Sequence, residues 1–370
     1  MAAVNEKMLG FGLMRLPSNE GKIDIEKVSE LADTFIRKGF TCFDTAYVYA
    51  GSEAAFKEAV AMRHPRSAYT VASKMAGWLL NEDLTPESMF NEQLKRCGVS
   101  YFDYYLLHSL QPSRIAAYED FDCWNFCLGM KAEGKIRNFG FSFHGDPTLL
   151  DELLSRHPEV DFVQLQLNYV DWNNNVIFAG GNYEVARKHS KDIIVMEPVK
   201  GGFLADIAPE LKEKFQKLDP NATPASFALR FAGSLPGVKV VLSGMNTLEQ
   251  MEENTEIFST FRPLSDRERN VISEVTAELL SIPTVPCTDC RYCVKGCPMG
   301  IRIPEVFKAY NLILTFGEHF HPHLYYGAMQ KLGGSPANTC IECGQCESAC
   351  PQHIGIVEKL KAASDIFDKE

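Results

Sequence analysis

Residues 40–63 read FTCFDTAYVYAGSEAAFKEAVAMR. The opening FTCFDTA is rich in aromatic and β-branched residues, as a strand requires. From Ser52 onward, SEAAFKEAVAMR carries its apolar residues at helical spacing. The stretch is therefore a strand followed by a helix, with Asp44 near the end of the strand. How often this unit recurs decides the fold.

Seven further β-rich runs are present: MLGFG (8–12), AYTVASK (68–74), FDYYLLH (102–108), IRNFGFSF (136–143), FVQLQLN (162–168), IIVMEPV (193–199) and VKVVLSG (238–244). Most are separated by amphipathic segments. In IDIEKVSELADTFIRKG, Ile25, Val28, Leu31, Ala32 and Phe35 share one face and Gly39 supplies a C-cap. TPESMFNEQLKRC and TPASFALRFAGS open on Thr-Pro, a helix-start pair. Eight strands alternating with helices predict a parallel, closed α/β structure, the eight-stranded β/α barrel of TIM type. An open doubly wound sheet is the alternative, but no GxGxxG follows the early strands. A last barrel-associated helix is expected from Ser265. SIPTVP then breaks the pattern, which places a boundary near residue 283 between a barrel (1–282) and a smaller, mainly helical domain (283–370).

In such barrels the chemistry sits at the C-terminal ends of the strands. The polar residues closing these runs are Asp44, Lys74, His108, Ser142, Gln166 with Asn168, and Glu197. Singly, each has a plain structural reading as a helix cap, a solvated strand end or a core histidine. Together they mark one mouth.

With YVYAGSE following FDTA, SK at 73–74, LLH at 106–108, GFSF at 140–143 and SGMNTLEQMEEN at 243–254, residues 8–260 resemble the aldo-keto reductase family. The resemblance implies a catalytic tetrad of Asp44, Tyr49, Lys74 and His108. It also implies a nicotinamide cofactor, NADP(H) or NAD(H), met by Gly12, Leu13 and Met14 after the first strand and by Ser142 and Gln166 at the carboxamide. Glu253 and Asn254 fall where adenine is recognised. A hydride delivered to a carbonyl leaves charge on oxygen, and Tyr49 would supply the proton, a contribution worth ~10²–10⁴ in rate. Lys74 is expected to lower the Tyr49 pKa, with Asp44 holding Lys74 protonated and His108 donating a hydrogen bond to the same oxygen. Tyr47 is the rival acid; the offset of Tyr49 from Asp44 matches the family. Four positions depart from the family pattern. Phe143 stands where Asn is frequent, Met196 where a ring-stacking Tyr is usual, and Gly244 and Gln250 where Lys and Arg commonly hold a 2′-phosphate. Independently of the resemblance, Gly201 and Gly202 suit either close backbone approach to a pyrophosphate or a tight turn, and Lys200 could reach a phosphate or water.

Eight of the twelve cysteines fall in two runs, CTDCRYCVKGCP (287–298) and CIECGQCESACP (340–351). Both have the CxxCxxCxxxCP spacing of two-cluster ferredoxins, in which the fourth cysteine serves the other cluster. Zinc sites use paired CxxC units with a longer gap, and a reducing compartment disfavours disulfides. Two [4Fe–4S] clusters are expected, one on Cys287, Cys290, Cys293 and Cys350, the other on Cys340, Cys343, Cys346 and Cys297. The intervening IPEVFKAYNLILTFGEHF reads as helix, resembling the helical type of ferredoxin domain. Cys42, Cys97, Cys123 and Cys127 read as core. His319, His321 and His323 in HFHPH read as a solvated flexible loop.

Formal charge −11 and the lack of a basic run disfavour a nucleic-acid partner, and none is expected. No 18-residue apolar run offers a membrane span, and cytoplasmic location is expected. The expected function is reduction of a small aldehyde or ketone, or oxidation of the alcohol, with the clusters exchanging electrons with a separate redox protein such as a ferredoxin or stabilising their domain. The first alternative is an electron-transfer oxidoreductase coupled to a flavin or a ferredoxin. The second is a non-catalytic, cofactor-binding regulatory module.

Overall fold

The computed structural model describes residues 7–19, 21–287, 289–317, 320–331 and 333–369, with the side chains of residues 320 and 321 left out. Eight parallel strands close a barrel: β1 (Leu9–Gly12), β2 (Cys42–Asp44), β3 (Thr70–Met75), β4 (Phe102–Leu110), β5 (Ile136–Phe143), β6 (Phe162–Gln166), β7 (Asp192–Met196) and β8 (Val238–Ser243). Each pairs with its sequence neighbours, and β1 closes the ring against β8 and β2. Strand β3 is buried at every residue, as expected where a sheet is covered on both faces.

Cys42, Ala72, Leu106, Phe162, Ile194, Val240 and Leu242 form one buried cluster contributed by strands from all round the ring. The helices pack outside. Helix Ile25–Arg37 buries Val28, Leu31, Ala32 and Phe35, and Phe35 joins Phe11 and Phe43 at ring separations of 5.8 and 5.3 Å. Helix Pro86–Cys97 starts on a capping box between Thr85 and Ser88, which satisfies two backbone donors that a helix end otherwise leaves orphaned.

Gly140 on β5 lies opposite Phe162 on β6, and a Cβ there would meet the Phe162 carbonyl oxygen at 2.4 Å. Backbone cannot swing aside as a side chain can. Gly140→Ala is expected to destabilise the barrel by about 2–3 kcal/mol. Gly129→Ala, on an exposed helical position with nothing within 4 Å, should be neutral or stabilising. Urea midpoints of the two variants check the contrast.

By its internal packing the chain forms two units: residues 1–200 with 225–269, and residues 201–224 with 270–370. In the second unit Phe203 stacks on Phe316, centroids 5.1 Å apart, which ties segment 201–224 into that unit. Its core is built by Ile301, Ile303, Val306, Phe307, Tyr326, Met329, Ile356 and Leu360. Helix Ile303–Phe316 carries Asn311, whose amide clamps both backbone groups of Val285 at 2.8 and 2.9 Å. The HFHPH stretch is not the loop expected: Phe320–Lys331 is helical, and the His323 ring sits edge-on to Phe367. His319 lies outside the described residues.

Candidate active site and cysteine loops

The strand ends bring Asp44, Lys74, His108, Ser142 and Gln166 to the C-terminal end of the barrel. Lys74 is fully buried. Its ammonium donates to Asp44 Oδ1 at 2.5 Å and to the Thr45 carbonyl at 2.7 Å, while Asp44 Oδ2 accepts from Gln164 Nε2 at 3.2 Å. Burial opposes the charge on Lys74, but Asp44 and Tyr49 outweigh it and hold the pKa above its ordinary value. Lys74 Nζ lies 4.8 Å from the Tyr49 ring centre, and the His108 ring meets Tyr49 edge-on at 5.8 Å.

The expected lowering of the Tyr49 pKa is not what this environment produces. Burial raises it first, Lys74 pulls it down, and Asp44 with Glu197 pushes it up again, for a net rise. Lys74 is the strongest charge acting on the phenol, but with Asp44 opposing it the ammonium does not overcome the cost of burial. Tyr49 therefore holds its proton until charge develops beside it. Tyr47 is otherwise engaged: its hydroxyl donates to Glu92 at 2.9 Å and its ring lies under Arg96.

His108 is kept neutral, its pKa pushed down to about 2 by burial and then by Lys74. Its Nδ1 is buried with no partner among the described residues. An unfolded imidazole titrates near 6.5, so the unfolded chain takes up a proton below that pH and the folded one does not. Stability is then full above about 6.5 and declines as pH falls toward 2, by up to ~1.4 kcal/mol per pH unit. His108→Gln is expected to flatten that slope in urea titrations run from about pH 6.5 down to 4; an unchanged slope would mean His108 is not buried neutral.

Around the cofactor candidates the polar groups are already interlocked. The Ser142 hydroxyl accepts from the Ser109 amide at 2.6 Å. Gln166 and Asn168 both donate to Asp171 Oδ2, at 3.3 and 2.8 Å, and Lys200 pairs with Asp171 Oδ1 at 2.6 Å. Gly201 and Gly202 have φ of 67° and 105°, a turn only glycine adopts freely. Leu13 is buried and its carbonyl accepts from Ser52, Met14 is exposed, and Gly12 leads into them. Gly244 has only the Gly12 carbonyl oxygen, at 3.9 Å, within reach of an added Cβ. Gln250 Oε1 accepts from the Asn246 amide at 2.9 Å, and Asn254 donates to Ser243 Oγ at 3.0 Å. Glu253 is half-buried on the same helix, Leu248–Ser259.

Two residues escaped the sequence reading. Gln164 shares the inward face of β6 with Phe162 and Gln166, one layer deeper, and it is Gln164 that touches the tetrad. Asp171 is a fully buried carboxylate whose only sequence signal is an Asp three residues after Asn168.

The cysteines sort into two small pockets. One is lined by Cys287, Cys290, Cys293 and Cys350 with Ile303, Phe307, Ile354 and Ile356. The other is lined by Cys297, Cys340, Cys343 and Cys346 with Ile301, Ile303, Val357 and Leu360. The fourth cysteine of each run thus crosses to the other's void. The backbone repeats with the sequence: Asp289 and Arg291 in the first loop and Glu342 and Gly344 in the second have positive φ at matching offsets, as do Gly300 and His353 beyond them. These reversals let each loop curl around the pocket that its first three cysteines line. Four thiols around a small apolar void suit a metal–sulfur cluster. Cys42, Cys97, Cys123 and Cys127 are buried, and burial raises the thiols of the last three, as for inert core residues. Among the described residues no helix is long and apolar enough to cross a membrane.

Residues 8–277 match the sequence profile of the aldo/keto reductase family, and residues 286–354 that of the 4Fe-4S dicluster domain. The chain is 32% identical over 151 residues to the NAD/NADP-dependent indole-3-acetaldehyde reductase of Schizosaccharomyces pombe, covering 39% of this chain and 49% of that protein. It is 28% identical over 148 residues to the methylglyoxal reductase DkgA of Salmonella typhimurium, with the same 39% and 49% coverage. The chain spans about half the length of the curated relatives it matches. Among solved structures, an aldo-keto reductase from Klebsiella pneumoniae in complex with NADPH superposes with a TM-score of 0.57 at 19% identity, over 73% of this chain and 90% of that one. A thermostable aldo-keto reductase in complex with epalrestat gives 0.58 at 23%, over 72% and 94%. At such identities the likeness is one of fold.

Proposed function

The chain belongs to the aldo/keto reductase family, and on that premise we propose that it is an oxidoreductase that reduces an aldehyde or ketone with NADPH or NADH and carries two [4Fe–4S] clusters in the domain that begins near residue 283. The observation that carries this reading is the meeting of Tyr49, Lys74, Asp44 and His108 at one strand-end site, with Lys74 buried and ion-paired.

Bound nicotinamide supplies the hydride. Tyr49 gives its phenolic proton to the carbonyl oxygen as charge develops there, and Lys74 then stabilises the phenolate. Asp44 keeps Lys74 charged and fixed, and Gln164 orients Asp44. Neutral His108 donates a hydrogen bond to the same oxygen without itself losing charge, which fits a group that titrates far below neutrality. Ser142 and Gln166 are our candidates for the carboxamide, and Asn254 with Glu253 for adenine. Gly244 and Gln250 offer no cation to a 2′-phosphate, so NADPH is favoured over NADH only by family habit.

The clusters would move single electrons. Cys290 and Cys343 are exposed, which supports exchange with a separate redox protein such as a ferredoxin. Dense thiols of this kind fit the reducing cytoplasm.

The test is anaerobic purification followed by iron, sulfide and cofactor analysis and an aldehyde panel. NADPH oxidation coupled to carbonyl loss supports the reading. Tightly bound flavin, with NADPH left unoxidised by every carbonyl, overturns it.

A further inference from the structure

The positive charges around the barrel mouth come with partners. Lys74 has Asp44, Lys200 has Asp171 and Arg15 has Glu197. Arg114 differs: among the described residues its guanidinium forms no ion pair, and it lies over the face of Trp78, 3.8 Å from the ring centre. Trp78 in turn lies 5.4 Å from the His108 ring. One indole therefore separates this cation from the imidazole of the tetrad.

The arrangement is held firmly. Tyr118 accepts from the Gly77 amide at 3.1 Å, and its hydroxyl reaches the backbone carbonyls of Met75 and His108. One phenol thus ties the Trp78 loop to the ends of β3 and β4. A Cβ on Gly77 would meet the Tyr118 ring at 2.4 Å, so the loop passes as close as glycine allows. Arg114 sits four residues before Tyr118, at the start of helix Ile115–Asp120, and shares that anchor. His144, just after β5, is fixed by its amide on the Leu110 carbonyl at 2.8 Å. Desolvation and Arg114 push its imidazole pKa down, although the residue stays exposed.

We propose that Arg114, with Trp78 and His144 beside it, is the recognition site for a substrate carboxylate, so that the carbonyl substrate is a short-chain oxoacid. The inference rests on the reductase reading above and names its substrate class. A guanidinium presents two parallel N–H groups that match a carboxylate in its plane. The indole beneath pre-aligns that plane, and a neutral imidazole can add a donor. An unpaired cation held over an indole is incompletely solvated and gains from an arriving anion. With the other cations of the mouth already paired, Arg114 leaves about one unit of charge to balance, which matches a carboxylate better than a phosphate dianion.

The experiment compares 4-oxobutanoate with butanal, which share four carbons and an aldehyde and differ in the carboxylate. It uses cluster-loaded wild-type, Arg114→Met and Arg114→Lys proteins with NADPH. The expected result is a wild-type KM about 30-fold lower for 4-oxobutanoate, since a charge-assisted bidentate contact is lost from butanal. Arg114→Met removes the difference through a rise in the KM for 4-oxobutanoate, and Arg114→Lys restores part of it. No wild-type preference, or a preference that survives Arg114→Met, overturns the assignment. So does a stronger Arg114-dependent preference for glyceraldehyde 3-phosphate, which would make the site one for phosphate. If no aldehyde is reduced, succinate binding followed by tryptophan fluorescence decides: loss in Arg114→Met keeps the carboxylate site and removes the reductase reading, whereas equal binding overturns the site.

Discussion

Replacing Tyr49 by Phe is expected to lower kcat for carbonyl reduction by ~10²–10⁴, with nicotinamide affinity and thermal unfolding nearly unchanged. The substitution removes one hydroxyl and keeps the ring that packs edge-on against His108. Lys74 keeps Asp44 and the Thr45 carbonyl, so no buried charge is stranded. Lys74→Met would be a poorer probe. It would leave the buried Asp44 carboxylate unpaired, at a cost of about 3–5 kcal/mol, and mix lost catalysis with lost fold. Stopped-flow measurement of NADPH oxidation isolates the chemical step, and a full rate in Tyr49→Phe would remove Tyr49 from the proton path.

The second large effect concerns Cys350. It belongs to the second cysteine run but lines the void of the first. Cys350→Ser is expected to remove about half of the iron and acid-labile sulfide, by the crossed ligation of two-cluster domains. The decisive comparison uses double variants. Cys350→Ser with Cys287→Ser should lose no more iron than either alone, because both hold one cluster. Cys350→Ser with Cys340→Ser should lose nearly all of it, although those two cysteines share a run. The opposite pattern would mean that each run holds its own cluster.

The barrel was legible because its strands differ in kind from what separates them. IRNFGFSF was read as residues 136–143 and β5 spans those residues. The shortest strand of the barrel, β2, covers only Cys42–Asp44 of the seven residues read as strand, because pairing stops where the chain turns toward Tyr49. The site was harder to read. Gln164 and Gln166 lie two apart on one strand and face the same way, so sequence cannot say which layer meets Asp44. Asp171 and Arg114 lie in loops, where an ion pair made, or left unmade, with a distant residue leaves no local pattern. The Tyr49 pKa failed as an expectation because a pairwise rule, cation near phenol, ignored both the dryness of the site and the anion already holding that cation. The grouping of Cys350 with the first run and Cys297 with the second around each pocket follows the rule that the duplicated spacing carries, while the ligation itself is what the double variants test.

Asp289, Arg291, Glu342 and His353 all carry positive φ without being glycine, each at a cost of order 1 kcal/mol or more. A newly made chain has no reason to accept four such costs until something in the loops rewards them together. Ligation of the cysteines would offset these four costs together, so the two loops are expected to settle fully only once both clusters are in place.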